Sequence, residues 1–382
     1  MSAGQDKARE SQRQQAVPCM LMRGGTSRGP FFKAADLPAD IAARDAVLLA
    51  AMGSPDARQI DGLGGAHPLT SKVGIVGPGA APGVDLEFLF AQVSIAQAKV
   101  DTTPNCGNML AAAVPFALET GLLQARGESS TFRVLALNTG MQCDITVQTP
   151  DGRVRYDGDA RIDGVPGTAA PVYIDFLDTA GSVCSGLLPT GRPLDRIEDD
   201  GAGSLEITCI DNGMPMVLMR AADLGRSGYE TVAELNADAD LKRRVEAIRL
   251  RAARLMGLGD VSEKPYPKMC LVAPPRAGGA ISTRCFIPHV CHDAIGVLAA
   301  VTVATACVLE ESVAAGVARL EPGLRKQVSV EHPSGEFSVG LELDPADARK
   351  VLRAALLRTA RLIMRGEVQL SARVPAAHAA TS

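Results

Sequence analysis

"NCGNMLAAAVPFALETGLL", Asn105 to Leu123, reads as a helix with apolar residues on every side and Gly121 to end it. A helix that is apolar all round does not lie on a surface; it has to be enclosed. Pro115 inside the run predicts a kink or a break. A second such run, "AIGVLAAVTVATACVL", lies at Ala294 to Leu309 in the other half of the chain. It is short for a bilayer span and fits a buried core helix better. Strand-like segments outnumber the remaining helices, so the enclosing material is β. The expectation is an α+β fold of two similar β-rich domains, each wrapping a central helix.

The rest of the chain fills in this plan. "VPCMLMR", "VGIVGP", "DLEFLFAQVSIAQAKV", "TFRVLALNTG", "MQCDITVQT" and "RVRYDGDARI" read as strands of the first half. "KMCLVAPP" and "ISTRCFI" read as strands of the second half. Helices are expected at roughly 40–53, closed by Gly53, and at about 230–257. "PADARKVLRAALLRTARLIMRG" reads as a terminal helix, and "EVQLSARVP" as a last strand that can cross back to the first domain. The expected division is a disordered tail at 1–16, a first domain at 17–188 joined by strand 366–375, and a second at 189–365. Cys106 and His292 mark the starts of the two central helices, and the cleft between the domains is the expected site.

The chain has 382 residues, 46% hydrophobic and 21% charged, which suits two domains with sizeable cores. Aromatics make up 3%, Trp is absent and the net charge is −4, which argues against nucleic acid and anionic membranes as partners. The nine cysteines are odd in number and form no CxxC, so free thiols in a reducing cytoplasm are expected. The polar start "MSAGQDKARESQRQQA" has no apolar core of a signal peptide.

"TPNCGNML" is the sharpest local signal. Cys106 stands between Asn105 and Gly107 at the first turn of a buried helix, where free N–H groups stabilise negative charge. A thiol in that setting can act as acid, base or nucleophile. Gly107 leaves room for substrate, and Asn105 and Asn108 offer amides. "MRGGTSRGP", Met22 to Pro30, concentrates Arg23, Thr26, Ser27 and Arg28 among glycines, enough for an anion cradle. "HPLTSKVGIV" puts Lys72 at the mouth of an apolar strand, a candidate base, although most loop lysines are merely solvated. No phosphate cup accompanies it, which argues against a pyridoxal phosphate lysine. Asp211 and Asn212 in "CIDNGMPMV" read equally as a substrate edge or an Asn-Gly turn. "HVCHDAIG" supplies His289, Cys291 and His292, but the spacing matches no established zinc pattern. His292 reads as either a cleft-facing side chain or a cap.

"MRGGTSRG", "GSPDARQIDGLGG", "PLTSKV" and "PNCGNML", in that order, resemble the PrpF family, which includes methylaconitate cis-trans isomerases and 4-oxalomesaconate tautomerases. The resemblance runs from Pro18 to about Val374 and is densest between 18 and 121. It implies the diaminopimelate epimerase-like fold, with two pseudo-symmetric domains, each a barrel-like sheet around a central helix. It also implies a cofactor-free isomerase that moves a proton between allylic carbons of a tricarboxylic acid. The family's catalytic lysine and cysteine fall on Lys72 and Cys106. The expected substrate-binding set is Arg23, Thr26, Ser27, Arg28, Ser71, Asn105, Gly107 and Asn108, with Asp211, Asn212 and His292 from the second half. The family usually has lysine where this chain has Arg28, which can bind a carboxylate but hardly move a proton. "GSPDARQIDGLGGAHPLTSKV" and "HVCHDAIGVLAAVTVATAC" look closer to the oxalomesaconate branch. The alternatives are 2-methylaconitate isomerisation and a non-catalytic accessory role beside an aconitase-type enzyme. Racemisation by two thiols would need a second cysteine at the second helix start, where Cys291 and His292 stand. A small tricarboxylate is the expected partner, and a homo-oligomer is compatible with the sequence.

Overall fold

The computed structural model describes residues 14–104, 106–177, 180–199, 201, 203–347, 350–372 and 374. The expected tail at 1–13, Asn105 of the expected site, and residues 373 and 375 of the expected last strand lie outside them. Gln15 and Ala16, assigned to the tail from sequence, already belong to a strand. The chain divides into two compact units, Met1–Ile174 with Arg358–Ser382, and Asp175–Leu357. Both limits fall earlier than the expected 188 and 365.

The first unit contains β1 (Gln15–Gly24), β2 (Ser27–Lys33), β3 (Lys72–Pro78), β4 (Leu86–Val93), β5 (Val100–Asp101), β6 (Ser129–Ala136) and β7 (Met141–Gln148). Strand β8 (Pro171–Phe176) begins in it. Helix α1 (Ile41–Met52) is set by its ends. Asp40 accepts a hydrogen bond from the Ala43 N–H, and Gly53 takes the left-handed conformation that stops the helix. The α1 side chains Val47, Leu48, Ala51 and Met52 pack with Phe32, Val73, Ile75 and Ala91 on one face of the sheet. On the opposite face Phe31 meets Phe88 and Phe116. Strand β3 is therefore covered on both faces, which explains its unbroken apolar run.

The first central helix is two short pieces, α2 (Gly107–Leu110) and α3 (Ala113–Glu119). The chain tightens between them, with Ala112 N–H bonded to the Met109 carbonyl at 3.0 Å. Pro115 then falls in the first turn of α3, where its missing N–H costs nothing. Met109 to Ala117 are all buried, as an apolar run must be.

The second unit contains β9 (Asp195–Asp199), β10 (Gly203–Asp211), β11 (Pro215–Arg220), β12 (Lys268–Ala273), β13 (Ile281–Phe286), β14 (Arg325–His332) and β15 (Gly335–Leu343). Helices α4 (Val232–Ala237) and α5 (Ala239–Leu255) pack on one face, and α6 (Val297–Val308) lies against the other. Ala299 to Cys307 of α6 are all buried. The two units repeat one pairing scheme. The run β1, β2, β3, β4, β6, β7 alternates antiparallel and parallel pairs. The run β10 to β15 has the same alternation.

Strand β16 (Val351–Leu370) corrects the expected terminal helix. Its Leu, Ala and Arg residues favour helix by only a few tenths of a kcal/mol each. Against that, Val351 to Leu356 pair with β15 and Ala360 to Leu370 pair with β1. A long ladder outweighs local propensity. In the first unit the strand order runs from β1 through β8 to β16, which returns to β1 and closes the sheet around α2 and α3. A second correction concerns "RVRYDGDARI". It is extended only in part, held by an isolated Ala160–Ala169 bridge and an Ala170 N–H bond to the Tyr156 carbonyl. Asp157-Gly158 interrupts the run.

Candidate active site

Lys72 opens β3, directly opposite Gln92 of β4. Its ammonium donates to Gln92 Oε1 at 2.9 Å and lies 3.7 Å from Cys106 Sγ and 4.7 Å from the centre of the Phe90 ring. Gln92 is oriented for this contact. Its Nε2 donates to the carbonyls of Pro68 and Ser71, which leaves Oε1 facing the lysine. Cys106 is half-buried and caps α2, its carbonyl accepting from Leu110 N–H at 2.9 Å. Because α2 is a single turn, only local N–H groups, not a long helix dipole, act on it. Elsewhere burial pushes the thiols of Cys19, Cys184, Cys209, Cys291 and Cys307 up and keeps them protonated.

The glycines of "MRGGTSRG" have a purpose beyond turning. A Cβ on Gly24 would lie 2.2 Å from the Asn108 carbonyl oxygen, and one on Gly25 would lie 2.1 Å from Asn108 Oδ1. A Cβ on Gly29 would lie 1.7 Å from the Lys72 carbonyl oxygen. The hairpin of β1 and β2 thus closes directly on the start of α2 and on the Lys72 backbone. Asn108 Nδ2 donates to Thr26 Oγ1 at 2.9 Å, joining helix to hairpin. Ser27 shares its β2 face with Gly29 and Phe31 and is 1% exposed, and among the described residues its Oγ has no hydrogen-bond partner. A buried unpaired hydroxyl is costly.

Other expected site residues stand elsewhere. Strand alternation puts Arg28 on the opposite face of β2 from Ser27, with Nη2 2.9 Å from where a Cβ on Gly65 would sit. Among the described residues its guanidinium has no hydrogen-bond or ion-pair partner. Arg23 Nη1 is bonded to the Gly25 and Thr359 carbonyls and to Thr359 Oγ1. Arg23 lines a cavity whose walls include neither Lys72 nor Cys106. Ser71 is fully buried and committed to structure. Its Oγ donates to the Val93 carbonyl and accepts from Gln59 Nε2, pinning the loop of residues 54–71.

In the second unit, Asp211 is 0% exposed, and its carboxylate accepts from Ser182 Oγ, Val183 N–H and Cys184 N–H. Asn212 Nδ2 donates to Thr305 Oγ1 of α6, and Thr302 Oγ1 donates to the Asn212 carbonyl. These bonds anchor a loop and a helix, which is what the Asn-Gly turn reading of this stretch expects. Asp211→Asn should cost about 1–3 kcal/mol by turning an amide NH₂ toward buried N–H donors. Urea unfolding checks it; KM should not move, and a raised KM at unchanged stability would return Asp211 to the binding set. His292 is exposed, with Nδ1 accepting from Ala294 N–H. It precedes α6, whose cap is Gly296. Among the described residues, no group of three His, Cys, Asp or Glu side chains could hold a metal ion.

The pattern that defines the PrpF protein family matches residues 14–371. The chain belongs to the PrpF family. It is 56% identical over 360 residues to the (4E)-oxalomesaconate Delta-isomerase of Novosphingobium sp. strain KA1, covering 94% of this chain and 99% of the relative. It is 53% identical to the 4-oxalomesaconate tautomerase of Pseudomonas putida, covering 93% of this chain and 96% of the relative. The fold matches a crystal structure of methylitaconate-delta-isomerase with a TM-score of 0.82 at 35% identity, over 97% of this chain and 99% of the other. PrpF membership and this match support the diaminopimelate epimerase-like fold. Within this PrpF chain, sequence reading missed Gln59 and Gln92. Each is one glutamine in a mixed segment, and only the folded ladder shows what its amide holds.

Proposed function

We propose that this PrpF-family protein isomerises 4-oxalomesaconate, or an unsaturated tricarboxylic acid of the same kind, with Lys72 and Cys106 as the proton-transfer pair. The contact of Lys72 Nζ with Cys106 Sγ at 3.7 Å carries the reading, and the named relatives support the substrate. A proton is taken from a carbon activated by the adjacent carbonyl. The C–H electron pair becomes part of a dienolate, the double bond shifts by one carbon, and a proton is returned at the far allylic position. No oxidant or reductant is needed. The Lys72 charge lies where negative charge develops, which is commonly the largest catalytic contribution. In this reading Thr26 and Asn108, joined to each other beside the pair, hold the substrate, with the Ser27 hydroxyl as a further donor.

All nine cysteines are free, which supports work in a reducing compartment such as the cytoplasm. No described helix is long and apolar enough to cross a membrane. The deciding experiment is a side-by-side assay on 4-oxalomesaconate and 2-methylaconitate. The first should be turned over with at least tenfold higher kcat/KM. A reversed ratio would reassign the substrate, and no turnover of either acid would favour the accessory role.

A further inference from the structure

We propose that the first unit holds a second anion site, a cavity at Arg23 and Arg361 that binds a small organic carboxylate apart from the Lys72–Cys106 pair. The cavity measures about 510 Å³, a size suited to a small ligand. Arg23 of β1 and Arg361 of β16 are direct cross-strand partners. Like charges set opposite each other on a ladder repel and destabilise it. Burial and, after it, the Arg361 charge hold the Arg23 guanidinium below its ordinary range. Among the described residues, Arg23 makes side-chain hydrogen bonds through Nη1 alone, to Gly25 and Thr359, and the Arg361 guanidinium has no hydrogen-bond or ion-pair partner.

The nearby acids do not neutralise this pair. Glu119, bonded to Tyr156 of the cavity wall, is already paired with Arg365. Asp157 lines the cavity but is exposed, and makes no ion pair with either arginine. An anion seated between the two guanidiniums would turn a repulsion into two charge-assisted contacts. Ile162, Val165, Pro166 and Leu362 form apolar walls beside them. That combination suits a carboxylate on a carbon skeleton better than inorganic phosphate. The site goes beyond the reaction proposed above and does not depend on it.

The chain has no tryptophan, so Ile363→Trp would place a single fluorophore at the cavity, at a position 47% exposed. Titration with citrate should give a saturable change in its emission. Adding Arg361→Gln should weaken that binding at least tenfold. Inorganic phosphate at matched ionic strength should bind more weakly than citrate. Calorimetry with citrate, on the unsubstituted chain and on Arg361→Gln alone, provides a second reading free of the added indole, with the same loss expected. Absence of a saturable citrate signal in both measurements overturns the proposal, as do equal citrate curves with and without Arg361. Phosphate binding as tight as citrate overturns the ligand class.

Discussion

Lys72→Ala should lower kcat/KM by about 10²–10⁴-fold, the range typical of a positioned acid–base group. Two losses combine in this variant. The amine proposed to carry the proton beside Cys106 Sγ disappears, and so does the cation above the Phe90 ring. Stability should change little, since the one strong partner left behind is Gln92 Oε1, worth about 1 kcal/mol. Lys72→Arg separates the two losses. Arginine keeps the charge but gives up a proton only with great difficulty. If charge alone matters, the arginine variant recovers most of the activity. If proton transfer matters, it stays within about tenfold of the alanine variant. Steady-state kinetics on 4-oxalomesaconate read the difference, and an arginine variant near wild-type rate would remove lysine from the proton-transfer step.

Gly29→Ala should be the most damaging single methyl group near the site. Its Cβ would stand 1.7 Å from the Lys72 carbonyl oxygen and 2.7 Å from its carbonyl carbon. Both are backbone atoms, so no side chain can swing aside. Either β2 parts from β3, where Phe31 pairs with Gly74, or the start of β3 moves. Overpacking of this kind costs about 1–3 kcal/mol and sometimes more. Displacement of a catalytic group by about 1 Å can cost about 10²-fold in rate. The variant should therefore lose urea resistance and, where still folded, turn over about 10²-fold more slowly with Lys72 intact. Gly366→Ala is the control, because a Cβ there meets nothing within 4 Å. It should leave both stability and rate near wild type, and equal behaviour of the two alanine variants would show that β2 has slack.

The sequence was most legible where one residue type has one physical reason to be there. Asp40 and Gly53 bracket α1 because caps are local. Two all-apolar helices announce β-structure packed around each because such a helix has no exposed face. Legibility failed where distant pairing decides. Val351 to Leu370 has helical composition, yet it serves as the ladder for β15 and β1. Nothing local signals partners that far away in sequence. The site divides in the same way. Lys72 and Cys106 stand in distinctive motifs and come together. Ser71 and Asp211 also stand in polar motifs, but the fold spends their oxygens on Gln59 and Val93, and on Ser182, Val183 and Cys184. Arg361 carries no motif and becomes notable only through its register with Arg23.

Proton movement itself is the decisive observable. In D₂O the wild-type protein should place solvent deuterium at the carbon that gains a proton as 4-oxalomesaconate is isomerised. Lys72→Ala and Cys106→Ser should each lose most of this exchange together with turnover, while remaining folded. Near-native exchange and turnover in both variants would contradict the assignment of Lys72 and Cys106 as the pair that moves the proton.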